Sequence, residues 1–444
     1  MMKKLLDIII LLAFWSILFS PLYFFSKGMG IRATACIAAL YLLFLLVSLS
    51  YKYLWSFQTF HNLQGTFKFF LLSFALFLVL LYMTNLFYIA HNVHTYLTEG
   101  NRDTLKDIEY KTDKILGFKP VPNIRTLHTF KINDDKIPRP KISIAYDDHG
   151  FRIPLVNASR IGTSHKADLL FLGDSFTLGA ACNAEDTFPF LVSKGTNLSY
   201  INAGVSSYSL AHMLILAETL IPQYQPDYVI VQYSPWLASR SISVYAPIDS
   251  LPLPVPFFAK VNDHYTVHPP LYMGNLEGVD TKIVKSSYNK KFIQFLFKVA
   301  VPFSLREIWY YLKSKFLFIT GQIPRPATNL EDVERYAYNR IKHVAEKHHA
   351  TVIILNLGDL DYSKYSHGLF SDGNIYFAEA DYYLNDYVKN SPSKDYCMEF
   401  CHWVVHGKNL VLIDRHPNPK AHRLIANSIM QTIKRINDLK VVKK

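Results

Sequence analysis

The chain has 444 residues, a net charge of +12, and 50% hydrophobic against 18% charged residues, which is too little charge for an ordinary soluble surface. The length excludes a small disulfide-stapled scaffold and leaves room for roughly two or three folding units, while the apolar content excludes collagen-like and wholly disordered chains.

The first features in chain order are three uncharged apolar runs, Ile8 to Phe25, Ala33 to Ser50 and Phe69 to Ala90, of 18, 18 and 22 residues. A helix needs about 20 residues to cross a hydrocarbon core, and each run is apolar on every face. Residues 1–90 therefore read as a three-span transmembrane region and not as buried core helices. Lys3 and Lys4 ahead of the first run also suit a signal peptide, but no small-x-small cleavage site follows and two more spans do.

Three spans put the chain ends on opposite sides of a membrane. With the amino end inside, Lys3, Lys4, Lys52 and Lys68 balance Lys27, Arg32, Arg102 and Lys106 outside. The first span usually dominates, so the two lysines beside it favour a periplasmic or otherwise extracytoplasmic carboxyl-terminal domain on a multi-pass cytoplasmic-membrane protein.

Residues 91–146 are polar and mixed in charge, with Pro120, Pro122, Pro138 and Pro140 in the later part, and read as a tether. From about residue 166 short apolar runs alternate with helical stretches. The expected strands are Ala167 to Leu172, Ser199 to Ala203, Asp227 to Gln232, Thr351 to Asn356 and Asn409 to Asp414; the expected helices are Ser209 to Ile221, Asn329 to His348 and Lys420 to Asn437. This order predicts an α/β fold, a parallel sheet with helices on its faces and ligands near the carboxyl ends of the strands.

Three of those strand ends carry chemistry. The first runs into GDSFTLG, Gly173 to Gly179, where Ser175 sits at the turn into a helix whose amides face an anion; alone, Ser175 is as well explained as a turn cap. The second ends in INAGVSSYS, where Gly204, two residues after Asn202, allows close approach of a backbone N–H, although a plain turn glycine explains it equally. The last ends in LIDRHPNPK, with Asp414 two residues before His416, an acid and an imidazole suited to forming a general-base pair.

Cysteine usage leaves the compartment open. In CMEFCHWVVH, Cys397 and Cys401 suit a disulfide or ordinary thiols, and with His402 and His406 they are candidate metal ligands, but the spacing matches no standard zinc pattern.

Together the blocks GDSF, NAG and DRHPN resemble, in order and spacing, the SGNH or GDSL-like hydrolase family, and DDHGFR, Asp147 to Arg152, resembles a segment that precedes the first block in many bacterial members. The resemblance implies a flavodoxin-like parallel five-stranded sheet over residues 147–444, interrupted by an insertion at about 238–328. It assigns Ser175 as nucleophile, Gly204 with the Ser175 amide as oxyanion-hole donors, and Asp414 and His416 as acid and base, with no metal or organic cofactor.

The third block departs from the family pattern. Where members usually have a Gly-x-Asn-Asp turn whose Asn completes the oxyanion hole, this chain reads QYSPWLASR, with Trp236 or a neighbour at the Asn position. Its indole N–H is one replacement donor, and stacking of its ring on a sugar is the other reading; Asn202 is a further substrate-binding candidate.

The function implied is a membrane-anchored serine esterase acting on O-acyl, chiefly O-acetyl, esters of a cell-envelope glycan or lipid, with no nucleic-acid partner. Two alternatives stand beside it: an O-acetyltransferase of a polysaccharide working with a membrane-bound O-acyltransferase, and an inactive glycan-binding or scaffold domain. Within the insertion, Lys290 to Phe318 interleaves basic and aromatic residues, which suits a membrane interface, an anionic glycan or a helical pair packed on the domain.

Overall fold

A computed structural model of the chain describes residues 110–129, 140–155, 166–248, 251–271, 313, 315–358 and 375–442. All of them belong to one compact unit. The three apolar runs and most of the Lys290 to Phe318 segment lie outside the described residues; within them, no helix is long and apolar enough to cross a membrane.

The described elements, in chain order, begin with β1 (Tyr110–Asp113), β2 (Gly117–Pro120), β3 (Arg125–Thr129), β4 (Lys141–Tyr146), β5 (Arg152–Ile153), β6 (Leu169–Leu172), α1 (Ser175–Leu178), α2 (Phe188–Thr196), β7 (Tyr200–Asn202), α3 (Leu210–Tyr224) and β8 (Tyr228–Tyr233). They continue with α4 (Trp236–Ser241), β9 (Tyr245–Ile248), β10 (Leu251–Pro254), β11 (Phe257–Val261), β12 (His264–His268), α5 (Leu330–Lys347), β13 (Thr351–Asn356) and β14 (Ile375–Ala378). The carboxyl end holds α6 (Ala380–Asn390), α7 (Tyr396–Phe400), β15 (His402–His406), β16 (Asn409–Asp414) and α8 (Pro419–Val442).

Apolar runs with no polar face make strands buried on both sides. β6 (LLFL) and β8 (YVIVQY) are buried at every position, and β6, β7, β8, β13 and β14 form a parallel sheet in the order β14-β13-β8-β6-β7. That is the 2-1-3-4-5 order of a doubly wound flavodoxin-like sheet, which places its ligand crevice at the carboxyl ends of the neighbouring strands β6 and β8, where the chain leaves toward opposite edges of the sheet. One face is covered by α3 and α5 through Leu214, Ala217, Ile221, Val333, Ala337 and Ile341. The other is covered by α2 and α8 through Phe188, Val192, Ile425, Ile429 and Ile433. The expected helices are present, with Ser209 and Asn329 as caps of α3 and α5.

Two expectations are corrected. The fifth strand is Ile375–Ala378 and not Asn409–Asp414; the latter is β16, paired antiparallel with β15 in a separate hairpin and nowhere fully buried. Its first two residues are exposed and the remaining four half-buried, so it lacks the two covered faces of a central strand. The described parts of the stretch read as a tether, residues 110–129 and 140–146, are also folded: β1 and β2 form a hairpin, and β3 and β4 join β5 in a three-stranded antiparallel sheet. Phe118, Ile144 and Tyr146 are buried, Tyr208 Oη donates to the Phe118 carbonyl at 2.8 Å, and Arg152 is 2% exposed. Pro120 closes β2 and Pro140 directly precedes β4, positions where a missing N–H is tolerated.

The insertion begins as two hairpins, β9–β10 and β11–β12, and returns to the domain through a bridge between Ala259 and Pro326. Within β11, Phe257 and Phe258 are fully buried. Cys182, Cys397 and Cys401 are free thiols, so Cys397 and Cys401 form no disulfide, and no cluster able to hold a metal occurs among the described residues.

Candidate active site

The end of β6 turns into α1 through Gly173, Asp174 and Ser175. A Cβ on Gly173 would stand 1.9 Å from Thr177 Oγ1 and 2.5 Å from Gln232 Oε1, so only glycine lets this turn close against β8. Asp174 caps α1 by accepting the Phe176 N–H at 3.0 Å. Ser175 is the first residue of that helix and 8% exposed. Among the described residues neither its hydroxyl nor its backbone N–H has a protein hydrogen-bond partner, which leaves both for a substrate.

Asp174 is the polar centre of the turn. It is fully buried, and its carboxylate also accepts Gln232 Nε2 at 2.8 Å, Trp236 Nε1 at 2.7 Å and Arg240 Nη1 at 2.8 Å. Four donors around one buried carboxylate satisfy the charge that burial would otherwise make prohibitive. Gln232 in turn accepts from Thr177 Oγ1 at 2.7 Å and the Asp174 N–H at 3.1 Å, which ties β8 to both sides of Ser175.

The structure thereby assigns the indole of Trp236. Its N–H is committed to Asp174, so it is not an oxyanion donor, and its ring packs edge-on against Phe176 at 5.3 Å.

Gly204, the other expected amide donor, has a partner within the chain. Its N–H donates to Asn202 Oδ1 at 3.0 Å, while Asn202 Nδ2 donates to the Thr177 carbonyl at 3.0 Å. Asn202 is 2% exposed and braces α1 from within, so it is not placed to bind substrate. Gly204 is required for another reason: a Cβ there would meet Leu178 N at 2.5 Å. Of the two expected amide donors, only that of Ser175 lacks a protein partner.

Asp414 and His416 come together as expected from their spacing. Asp414 Oδ1 accepts both the His416 Nδ1–H at 2.7 Å and the His416 N–H at 2.6 Å, which fixes the tautomer and leaves Nε2 for proton transfer. The imidazole lies against the Phe176 ring at 5.7 Å, beside the Ser175 turn. No hydrogen bond joins His416 to Ser175 among the described residues; contacts of this kind are often long or absent until a substrate is bound.

The loop carrying His416 is anchored on both sides. The Cys182 thiol donates to the Pro417 carbonyl at 3.4 Å, His402 Nε2 lies 3.2 Å from the same oxygen, and Asn418 Nδ2 donates to the carbonyls of Glu399 and Cys401 at 2.9 and 3.0 Å.

Burial alone would lower the His416 pKa, but the hydrogen bond and charge of Asp414, with the charge of Asp174 behind, raise it above 6.5. Burial would raise that of Asp414, and its bonds to His416 hold it below 3.8. A general base must be neutral, so kcat/KM is expected to fall on acidification through a midpoint above 6.5 and to level off at higher pH. Stopped assays across pH 5 to 9, at about constant ionic strength, measure it; an acidic midpoint below 6 would deny His416 that role.

No protein-family model matches this chain, and no curated protein does. Solved structures give distant likenesses. The psychrotrophic esterase EstA from Pseudoalteromonas sp. is 11% identical, with a TM-score of 0.29 over 62% of this chain and 100% of that one. The acetyl xylan esterase Est2A from Butyrivibrio proteoclasticus is 12% identical, with a TM-score of 0.30 over 62% of this chain and 65% of that one. A GDSL-like lipase from Bacteroides thetaiotaomicron is 11% identical, with a TM-score of 0.28 over 60% and 88%. Likenesses of this size carry no functional weight, and the assignment below stands on the residues.

Proposed function

We propose that the chain is a serine ester hydrolase of the SGNH type, membrane-anchored, acting on O-acyl and chiefly O-acetyl esters of a cell-envelope glycan or lipid. The observation that carries this reading is the Asp414–His416 pair lying against Phe176, the neighbour of a Ser175 whose hydroxyl is unengaged at a helix start.

His416 Nε2 takes the Ser175 Oγ proton as Oγ attacks the ester carbonyl, and Asp414 stabilises the imidazolium that forms. The Ser175 N–H faces the developing oxyanion. Collapse expels the alcohol, protonated by His416, and water then attacks the acyl-enzyme with His416 again as base. Release of acetate from an aryl acetate by the purified chain tests the reading, and a chain that binds acylated glycan without releasing acid would place it with the inactive binding domains.

The anchor rests on the three apolar runs, and the orientation on Lys3 and Lys4. A reporter active only in the cytoplasm, fused after Lys444, is expected to be silent. A strong signal from it would reverse the topology and place the ester substrate inside the cell.

A further inference from the structure

An open cleft of about 430 Å³ lies between the β11–β12 hairpin and the segment that leads into α5. We propose that this cleft is a subsite for an acidic sugar unit, so that the ester substrate is an acylated anionic glycan; the inference rests on the esterase reading for its substrate and on the cleft alone for its binding.

The cleft is built from fixed walls. The Ala327 N–H donates to the Phe258 carbonyl at 2.8 Å and Pro326 bridges Ala259, so the two sides are joined by backbone hydrogen bonds. The hairpin closes through Asn262 and Asp263, with φ of 49° and 63°, the left-handed pair that a two-residue turn requires. Five lining side chains have the chemistry of a glycan site: Lys260, Asn262, Tyr265, Arg325 and Thr328.

Tyr265 is held as an aromatic wall. It faces Lys260 across the hairpin, the Lys260 Nζ stands 5.8 Å from its ring centroid, and its hydroxyl donates to Asp332 Oδ2 at 3.2 Å. An aromatic ring beside cations suits the apolar face of a sugar ring with a carboxylate at its edge.

The cations are open to a ligand. Among the described residues Lys260 forms its ion pair with Asp263, itself 96% exposed, and Asp332 adds a more distant negative charge; an exposed pair of this kind exchanges readily for another anion. Arg325 is exposed and has no carboxylate partner among the described residues, so its planar fork is available for bidentate binding. Asn262 and Thr328 add donors and acceptors for hydroxyls.

Position ties the cleft to the active site. β11 packs on α4, the helix that carries Trp236 and Arg240. Arg240 has one guanidinium nitrogen on Asp174 and a side chain still 36% exposed. Cations therefore stand both beside Ser175 and on the hairpin packed against that helix, an arrangement for a repeating anion and not for a small neutral ester.

The test uses the full chain in non-ionic detergent, titrated calorimetrically with short oligogalacturonate and with a neutral xylo-oligosaccharide of equal length. At about 50 mM salt the anionic sugar is expected to bind at least tenfold tighter, and to weaken steeply at about 500 mM. The joint substitution Lys260→Gln and Arg325→Gln is expected to weaken it about tenfold, whereas Arg325→Lys alone retains part of the affinity because the charge remains.

Equal binding of the two sugars, or oligogalacturonate affinity unchanged by the double substitution, overturns the subsite. Loss of binding to anionic phospholipid vesicles in the double variant, with no oligogalacturonate binding by the wild type, also overturns it and assigns the cations to a membrane surface. Selective binding of the anionic sugar with no acetate release from its acetylated form supports the subsite and counts against the esterase reading alone.

Discussion

Ser175→Ala and His416→Ala are each expected to lower kcat for an aryl acetate by at least about 10³-fold, with the double variant little worse than either single. The reason is that Oγ and Nε2 act in one step: without the base, the serine hydroxyl is a poor nucleophile, and without the hydroxyl the base has nothing to activate. Wild-type turnover is itself expected to be slow. Each missing oxyanion donor typically costs about 10²–10³ in rate, and both Gly204 and Trp236 have their N–H groups committed elsewhere. Initial rates of the four proteins on one ester decide the matter. Losses that multiply in the double variant would show that Ser175 and His416 act independently and that the triad is wrongly assigned.

Asp174→Ala is expected to damage both the fold and the rate. It would remove the acceptor of Phe176 N, Gln232 Nε2, Trp236 Nε1 and Arg240 Nη1 at once. A buried donor left unsatisfied costs about 1–3 kcal/mol, and Trp236 and Arg240, being partly exposed, recover some of that from water. A net loss of about 3–5 kcal/mol is expected, equivalent to a fall in Tm of roughly 10 °C for a unit of this size.

Trp236→Phe serves as the contrast, because it removes one of those four donors and leaves the carboxylate three others. It is expected to lower Tm by only a few degrees, about the effect of a single net hydrogen bond. Thermal scans of both variants, with kcat measured well below the transition, check the account. An Asp174→Ala protein as stable as the wild type would mean that the four bonds do not hold the turn.

The legibility of this chain follows the distance over which each feature is encoded. Ser175 and the Asp414–His416 pair could be read because each depends on neighbours within a few residues: GDSF makes its own capped turn, and Asp414 reaches His416 two positions away. The third block could not. Trp236 and Arg240 find Asp174 from 62 and 66 positions along the chain, and nothing local to QYSPWLASR reveals that bond.

The Gly204 N–H is engaged for a local reason of another kind. A side chain competes for its amide, and Asn202 Oδ1 is near enough to take it before any substrate does. The signal was the Asn two positions earlier, in the spacing at which an Asn or Asp side chain bonds the following backbone.

In the fold, the central strands were legible from uninterrupted apolar runs, whereas the edge was not. IYFA, residues 375–378, is only four residues long and mostly half-buried, while NLVLID looked the better strand and proved to be half of a hairpin. KISIAY, residues 141–146, carried an alternating pattern that its flanking prolines obscured.

The measurement that bears most directly on the nucleophile is peptide mapping after reaction with a fluorophosphonate. The account predicts one phosphonylated residue, Ser175, with labelling abolished in Ser175→Ala and greatly slowed in His416→Ala. Modification of any other serine at the same rate, or undiminished labelling of the Ser175→Ala protein, would contradict it.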